Sequence, residues 1–85
     1  MPQLILDVRE PFEFEMGHVN NAVNIPARKL SSGLPELNNI TKDTWIIVYC
    51  RSGNRSANSI NILNNLGYKN VINGINQENV EAEYL

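Results

Sequence analysis

The sequence predicts a small α/β domain with a mostly parallel sheet flanked by helices, and three observations support this. Short, continuous apolar runs recur along the chain, which is typical of strands buried on both faces. Segments with helical spacing of apolar residues separate these runs. The chain has 85 residues, of which 42% are hydrophobic, so we expect one modest core and a single domain over residues 1–85.

Four apolar runs predict the strands of this sheet, at residues 4–8, 22–25, 45–49 and 70–72. The third run is the strongest because Trp, Ile, Val and Tyr, all strand-favouring residues, follow one another in it. Asn73 and Gly74 come directly after the fourth run and predict a turn.

Helical patterns lie between the strands. Pro11 suits the first turn of a short helix that Gly17 terminates. Residues 28–37 predict short helical pieces, residues 55–66 a longer helix closed by Gly67, and residues 76–85 an acidic tail helix with a solvated face. The predicted apolar face of the longer helix consists of Ala57, Ile60, Leu63 and Leu66.

Composition excludes several classes of function. Seven Lys and Arg against nine Asp and Glu give a net charge of −2, which argues against nucleic-acid and anionic-membrane partners. No apolar run approaches the ~20 residues needed to span a bilayer. The single cysteine, Cys50, excludes an internal disulfide and a multi-cysteine metal site. We therefore expect no metal and no cofactor.

The start of the chain bears on its compartment. Met-Pro-Gln leads directly into the apolar run at Leu4, without a basic and apolar signal segment in front. The sequence as it stands predicts a cytoplasmic protein, and a periplasmic one if it is a mature exported chain given a start Met. Nothing in the composition demands an oligomer, so we expect a monomer.

Cys50 is the strongest candidate for chemistry. It ends the central predicted strand one short loop before a helix, where ligands of open α/β sheets bind. Converging backbone N–H groups, the helix dipole and the nearby Arg51 and Arg55 all favour the thiolate and predict a lowered pKa for Cys50. The alternative, a buried and inert cysteine, fits this electropositive setting less well.

Four stretches together resemble the rhodanese-type sulfurtransferases. The candidate site loop consists of Cys50, Arg51, Ser52, Gly53, Asn54 and Arg55, and it is similar to the active-site loop of that family. Residues 6–10 (Leu-Asp-Val-Arg-Glu) resemble the first strand of the family. Residues 17–26 resemble its Gly-His and Asn-Ile-Pro segment, and residues 66–71 resemble the end of the helix after the active-site loop and the start of the next strand. The short length resembles single-domain, phage-shock-type rhodaneses.

The last loop departs from the family. A Gly-Gly pair is usual there, whereas Asn73-Gly74-Ile75 keeps only one glycine. The aromatic residue that commonly follows the pair is missing, and only Tyr84 lies near the end. The departure concerns the pocket wall that the C-terminal segment forms.

The resemblance implies a rhodanese-like fold and sulfur transfer in two steps. Cys50 would take the outer sulfur of a donor such as thiosulfate as a persulfide, and an acceptor would remove it. The acceptor is cyanide in vitro and a thiol, small or on a protein, in cells. Arg51 and Arg55 would bind the charge of the donor anion.

Other functions remain open at this point. A phosphatase is disfavoured because four residues, not five, separate Cys50 from Arg55, and the smaller ring suits sulfur better than phosphate. A sulfur carrier acting on a protein partner would share the chemistry and differ in the acceptor. A redox-sensing thiol would need no anion-binding loop.

Polar residues outside the loop predict structural roles. We expect His18 to end the first helix and bond to nearby backbone, and Asp7 and Arg9 to form an internal ion pair. Trp45 and Tyr49 are expected in the core or at a pocket edge. Phe12 and Phe14 are expected to pack.

Overall fold

Four parallel strands form one sheet in the computed structural model, which describes residues 3–32, 37 and 40–85. The strands are β1 (Gln3–Asp7), β2 (Val23–Asn24), β3 (Trp45–Cys50) and β4 (Asn70–Asn76). Their order across the sheet is β2-β1-β3-β4, and each neighbouring pair is parallel. The predicted α/β class and mostly parallel sheet are confirmed.

The central strand β3 sets the register of the sheet. Leu6 of β1 pairs with Val48, and Cys50 at the end of β3 pairs with Asn76 of β4. Because all strands run the same way, the carboxyl ends of β1, β3 and β4 meet at one edge. Cys50 lies at this edge.

The sheet is buried on both faces, as the continuous apolar runs predict. Successive side chains of β3 alternate between two clusters: Ile46, Val48 and Cys50 join one, and Ile47 and Tyr49 join the other. Leu30 and Leu63 complete the first cluster, which also contains Leu37. Val80 completes the second.

The described residues also form three α-helices and one 3₁₀ helix. They are α1 (Pro11–Glu15), the 3₁₀ helix (Ala27–Ser32), α2 (Asn54–Asn65) and α3 (Gln77–Glu83). α2 and the 3₁₀ helix pack on the first cluster, and α3 packs on the second. Of the pieces predicted at 28–37, Leu34 and the interrupting Gly33 and Pro35 lie outside the described residues.

The buried face of α2 differs from the predicted one. Ser56, Ser59 and Leu63 are buried, whereas Ala57 is exposed and Leu66 is 39% exposed. The hydroxyl of Ser59 donates to Arg55 O at 2.8 Å, and that of Ser56 has two acceptors within hydrogen-bond distance, Gly53 O at 3.1 Å and Asn73 Oδ1 at 2.6 Å. Serine can therefore be buried on this face because its hydroxyl has a hydrogen-bond acceptor there. A prediction from the spacing of apolar residues alone does not identify such serines.

The predicted turn at Asn73 and Gly74 is wrong, since β4 continues through it to Asn76. Asn73 pairs with Val48 and Ile75 pairs with Tyr49, so Gly74 is an extra residue in a β-bulge. A Cβ on Gly74 would lie 2.5 Å from Val80 Cγ2, which is why only glycine fits there. The bulge brings Ile75 over the loop that follows β3.

Candidate active site

The thiol of Cys50 lies at the amino end of α2. Cys50 is only 2% exposed, and the backbone N–H of Gly53 donates to its Sγ at 3.1 Å. Gly53 has φ +94°, a left-handed conformation that glycine adopts without strain and that turns the loop from β3 into α2. The loop therefore presents backbone donors and the positive end of a 12-residue helix to the sulfur.

Hydrogen bonds lower the pKa of Cys50 from 9.0 to about 7. Burial is the largest single influence and raises the pKa, because it disfavours the charged thiolate. With its proton turned towards sulfur, the Ser56 hydroxyl acts together with the N–H groups of Ser56, Ser52 and Gly53, and these hydrogen bonds outweigh burial. The predicted direction of the shift is found, and its main causes are hydrogen bonds from the site loop and from Ser56 at the start of α2.

Ser56 is the neighbour of Cys50 that sequence reasoning missed. Its hydroxyl oxygen lies 3.6 Å from Sγ and 2.6 Å from Oδ1 of Asn73, and the residue is fully buried. In the sequence Ser56 directly follows Arg55, the last residue of the site loop. A buried serine in the first turn of a helix, next to a cysteine, is the signal that would have identified it.

Arg55 is paired with Glu13 of α1. Nη1 and Nη2 donate to the two carboxylate oxygens at 2.7 and 3.0 Å, and the Glu13 side chain is only 9% exposed. This pair lowers the pKa of Glu13 to about 2, chiefly through the hydrogen bonds from Arg55. Sequence reasoning missed Glu13 because 42 positions separate it from Arg55.

Arg51 lies at the open side of the site. It lines a pocket of about 240 Å³ together with Arg9, Cys50, Asn76, Gln77 and Glu78. Among the described residues, no acidic side chain lies within ion-pair distance of Arg51. The guanidinium of Arg51 is therefore the one that an anion entering this pocket would meet first.

A second hollow of about 220 Å³ adjoins this pocket through Arg9, Arg51 and Gln77. Phe12 and Met16 of the α1 region line it and are 65% and 84% exposed. The prediction that Phe12 packs is therefore wrong. Its place on the outer side of a short surface helix leaves it beside the mouth of the site.

The remaining loop residues contribute mainly through backbone. Gly53 is buried against Ile75, whereas the side chains of Ser52 and Asn54 are exposed. The structure thus brings Cys50, Gly53 and Ser56 together, keeps Arg51 at the pocket, and turns Arg55 towards α1.

Outside the loop the predicted Asp7–Arg9 ion pair and the backbone contact of His18 are found, whereas α1 ends at Glu15 rather than at His18. Arg9 forms a buried ion pair with Asp7 at 2.6 Å and donates to the Gly17 carbonyl at 2.8 Å. His18 Nδ1 lies 2.8 Å from the Phe14 carbonyl, and its ring stacks on that of Phe14. Tyr49 is fully buried and accepts a hydrogen bond from the Val19 N–H.

The described part of the chain holds neither a metal cluster nor a membrane span. Within residues 3–32, 37 and 40–85, no group of three His, Cys, Asp or Glu side chains is placed to hold a metal ion. In the same residues no helix is long and apolar enough to cross a membrane.

Fold and site together define a parallel α/β domain with a buried thiol of lowered pKa between a strand and the helix that follows it. The chain belongs to the rhodanese-like domain family, whose pattern matches residues 1–75. It is 35% identical over 80 residues to a putative mitochondrial thiosulfate sulfurtransferase of Schizosaccharomyces pombe, covering 82% of this chain and 56% of that protein. It is 33% identical over 72 residues to thiosulfate sulfurtransferase PspE of Escherichia coli, covering 80% and 64%.

A solved structure described as rhodanese with anions from E. coli has the same fold, with a TM-score of 0.80. It shares 28% sequence identity, over 91% of this chain and 89% of that one. The domain also occurs in proteins of other names: a tRNA uridine(34) hydroxylase of Photorhabdus laumondii is 34% identical over 71 residues, which are 20% of its length. The chain thus spans less than two thirds of these curated relatives.

Proposed function

We propose that this protein is a sulfurtransferase that carries a sulfane sulfur on Cys50 as a persulfide. The observation that carries the proposal is the placement of a buried thiol, with its pKa lowered to about 7, in a pocket shared with Arg51. At neutral pH a large fraction of this thiol is the nucleophilic thiolate. Relatives named thiosulfate sulfurtransferase support thiosulfate as a donor.

In the first step the Cys50 thiolate attacks the outer sulfur of thiosulfate. A new S–S bond forms at Cys50, and the bond between the two donor sulfurs breaks. Its electron pair leaves with sulfite, so the products are a Cys50 persulfide and a sulfite anion. The Arg51 guanidinium binds the donor's oxyanion and stabilises the sulfite that departs.

In the second step an acceptor nucleophile attacks the outer sulfur of the persulfide. The S–S bond at Cys50 breaks, and its electron pair returns to Sγ as thiolate. Cyanide gives thiocyanate, and a thiolate gives a new persulfide on the acceptor. The Gly53 N–H and the end of α2 stabilise the Cys50 thiolate as it leaves.

Arg51 and Arg55 take different parts in this proposal. Arg51 is the donor-binding cation, because it lines the pocket. Arg55 is engaged by Glu13, so direct binding of the donor by Arg55 stays a prediction. Its positive charge still acts on Cys50 from the first turn of α2.

Intact-protein mass after incubation with thiosulfate tests the proposal. We expect a gain of about 32 Da, one sulfur atom, that added cyanide removes with the release of thiocyanate. Because Cys50 is the only cysteine, Cys50→Ser is the matched control and should gain nothing. No gain in a protein whose Cys50 remains alkylatable would refute thiosulfate as the donor.

A sulfur-carrier module acting on a protein partner is the second candidate. The exposed Phe12 and Met16 beside the pocket favour it, since an apolar rim suits a protein acceptor better than a small anion. Persulfide formation without cyanide turnover would support this candidate. Rapid turnover with cyanide, unchanged in Phe12→Ser and Met16→Ser variants, would support the enzyme.

A further inference from the structure

Asn73 lies at the bulge of β4, and both polar atoms of its side-chain amide form hydrogen bonds beside the candidate site. Its Oδ1 accepts from the Ile75 N–H at 2.9 Å, and its Nδ2 donates to the Gly53 carbonyl at 3.2 Å. These two partners fix the amide orientation, because a backbone N–H can only donate and a carbonyl can only accept. The atom 2.6 Å from the Ser56 hydroxyl is therefore an oxygen that cannot donate.

The Ser56 hydroxyl has one proton and three acceptors in reach. Asn73 Oδ1 lies at 2.6 Å, the Gly53 carbonyl at 3.1 Å and Cys50 Sγ at 3.6 Å. If the proton pointed at sulfur, two oxygens would face each other at 2.6 Å with no hydrogen between them. In the resting site the proton consequently lies towards Asn73, and Sγ faces the lone pairs of the hydroxyl.

We propose that Asn73 is a positioning residue of this site, which withholds the Ser56 hydroxyl proton from the Cys50 sulfur. The inference rests on the proposed function for its purpose, but its geometry is independent of any donor or acceptor. Asn73 acts through Ser56 and touches neither the sulfur nor the Arg51 side of the pocket in its hydrogen bonds.

This arrangement suits a sulfur that must both attack and leave. A hydrogen bond donated by the Ser56 hydroxyl is the largest of the contacts that lower the pKa of Cys50, and a thiolate of lower pKa is a weaker nucleophile. With the proton held by Asn73, the Gly53 N–H and the helix end carry the charge of the thiolate. The withheld proton therefore leaves the pKa of Cys50 higher than a donated proton would, and a thiolate of higher pKa is the stronger nucleophile.

Other charged groups also face Cys50 and must be held constant. Arg9, Arg51 and Glu78 line its pocket from the segment after β1, the site loop and α3, and Arg55 acts from α2. All four are retained in every variant below. A change in the pKa of Cys50 then reports whether the Ser56 hydroxyl proton points towards the sulfur.

The test is a double-mutant cycle read by the ultraviolet absorbance of the thiolate against pH, which needs no sulfur donor. We expect Asn73→Ala to lower the pKa of Cys50 by about 0.5 to 1, the effect of one added hydrogen bond to sulfur. In a Ser56→Ala background the same substitution should leave the pKa unchanged. Asn70→Ala, at the far end of β4, is the matched control and should change nothing.

Two results would overturn the inference: a raised or unchanged pKa in Asn73→Ala, or a shift that persists without Ser56. If Asn73→Ala does not fold, Asn73→Asp answers the same question, because a carboxylate holds the proton more strongly. The pKa of Cys50 should then rise more with Ser56 present than in the Ser56→Ala background, and equal rises would refute the inference. Failure here leaves the mass gain on Cys50, and so the proposed function, untouched.

Discussion

The carboxylate of Glu13 lies against the guanidinium of Arg55, with both oxygens accepting hydrogen bonds at 2.7 and 3.0 Å. This contact ties α1 to the first turn of α2, on which Cys50 depends for its environment. It also decides which arginine of the site loop is available to an anion. Arg55 is held in the scaffold, and Arg51 is left at the pocket.

Glu13→Gln is expected to remove part of the pH dependence of stability. The folded pKa of Glu13 is about 2, against 4.5 ordinarily, so the ionised carboxylate favours the folded state. That stabilisation is complete above about pH 5 and is lost as the pH falls towards 2. At pH 7 the free energy of unfolding of the variant, measured by urea denaturation, should be about 1 to 3 kcal/mol lower than that of wild type.

The gap between wild type and Glu13→Gln should narrow steadily from pH 5 to pH 3. Glu10→Gln is the matched control, because the Glu10–Arg28 pair is exposed and should contribute little. Parallel stability curves for wild type and Glu13→Gln across this range would contradict the assignment.

Arg51→Ala is expected to impair use of thiosulfate. Loss of one charge-assisted hydrogen bond to the donor, worth about 1.5 to 3 kcal/mol, should lower kcat/KM about 10- to 100-fold, mainly through KM. Steady-state thiocyanate formation measures this. Arg28→Ala removes the same charge from the 3₁₀ helix, where Arg28 pairs with Glu10, and should leave kcat/KM unchanged. Equal values for the two variants would show that Arg51 does not bind the donor.

A comparison of Gly53→Ala with Gly67→Ala distinguishes two effects. One is the effect of the site-loop conformation on the pKa of Cys50, and the other is the general effect of backbone strain on stability. Both glycines have left-handed backbone, with φ +94° and +101°, and an added Cβ would meet only ordinary contacts at 3.5 and 3.6 Å. Each substitution should therefore cost about 1 to 2 kcal/mol of stability. Only Gly53→Ala should also raise the pKa of Cys50, measured by alkylation rate against pH, because it displaces the N–H that bonds to Sγ.

An unchanged pKa in Gly53→Ala, with stability lowered as in Gly67→Ala, would contradict this. The sulfur would then owe its lowered pKa to Ser56 and the helix end rather than to the Gly53 N–H.

Ile75 occupies a strained conformation, with φ +75° on a β-branched residue. Replacing it by glycine relieves about 1 to 2 kcal/mol of strain, which offsets the loss of its contacts, since Ile75 is already 42% exposed. We expect Ile75→Gly to change the free energy of unfolding by less than about 1 kcal/mol. Ile72→Gly, in the regular part of β4, should cost about 2 kcal/mol or more. Similar losses in both variants would argue against strain at Ile75.

Much of the fold follows from local pattern. The continuous runs of β1 and β3 predict strands buried on both faces, and the two clusters that share β3 bear this out. Pro11, Gly17 and Gly67 mark helix ends because their backbone preferences act within a few residues. The turn predicted at Gly74 is wrong because a contact between residues distant in the chain decides the structure there. The Val80 side chain lies so close that only glycine fits at this position of β4.

The sequence by itself determined the parallel α/β class, the place of Cys50 at the end of the central strand and the direction in which the pKa of its thiol is shifted. These depend on residues adjacent in the chain, whose backbone geometry and helix dipole act over one loop. Only the tertiary structure decided that Glu13 holds Arg55, that Ser56 faces the sulfur, and that Asn73 holds Ser56. Hydrogen bonds between separate elements require positions fixed to a fraction of an ångström, and packing of the whole sheet and its helices sets those positions.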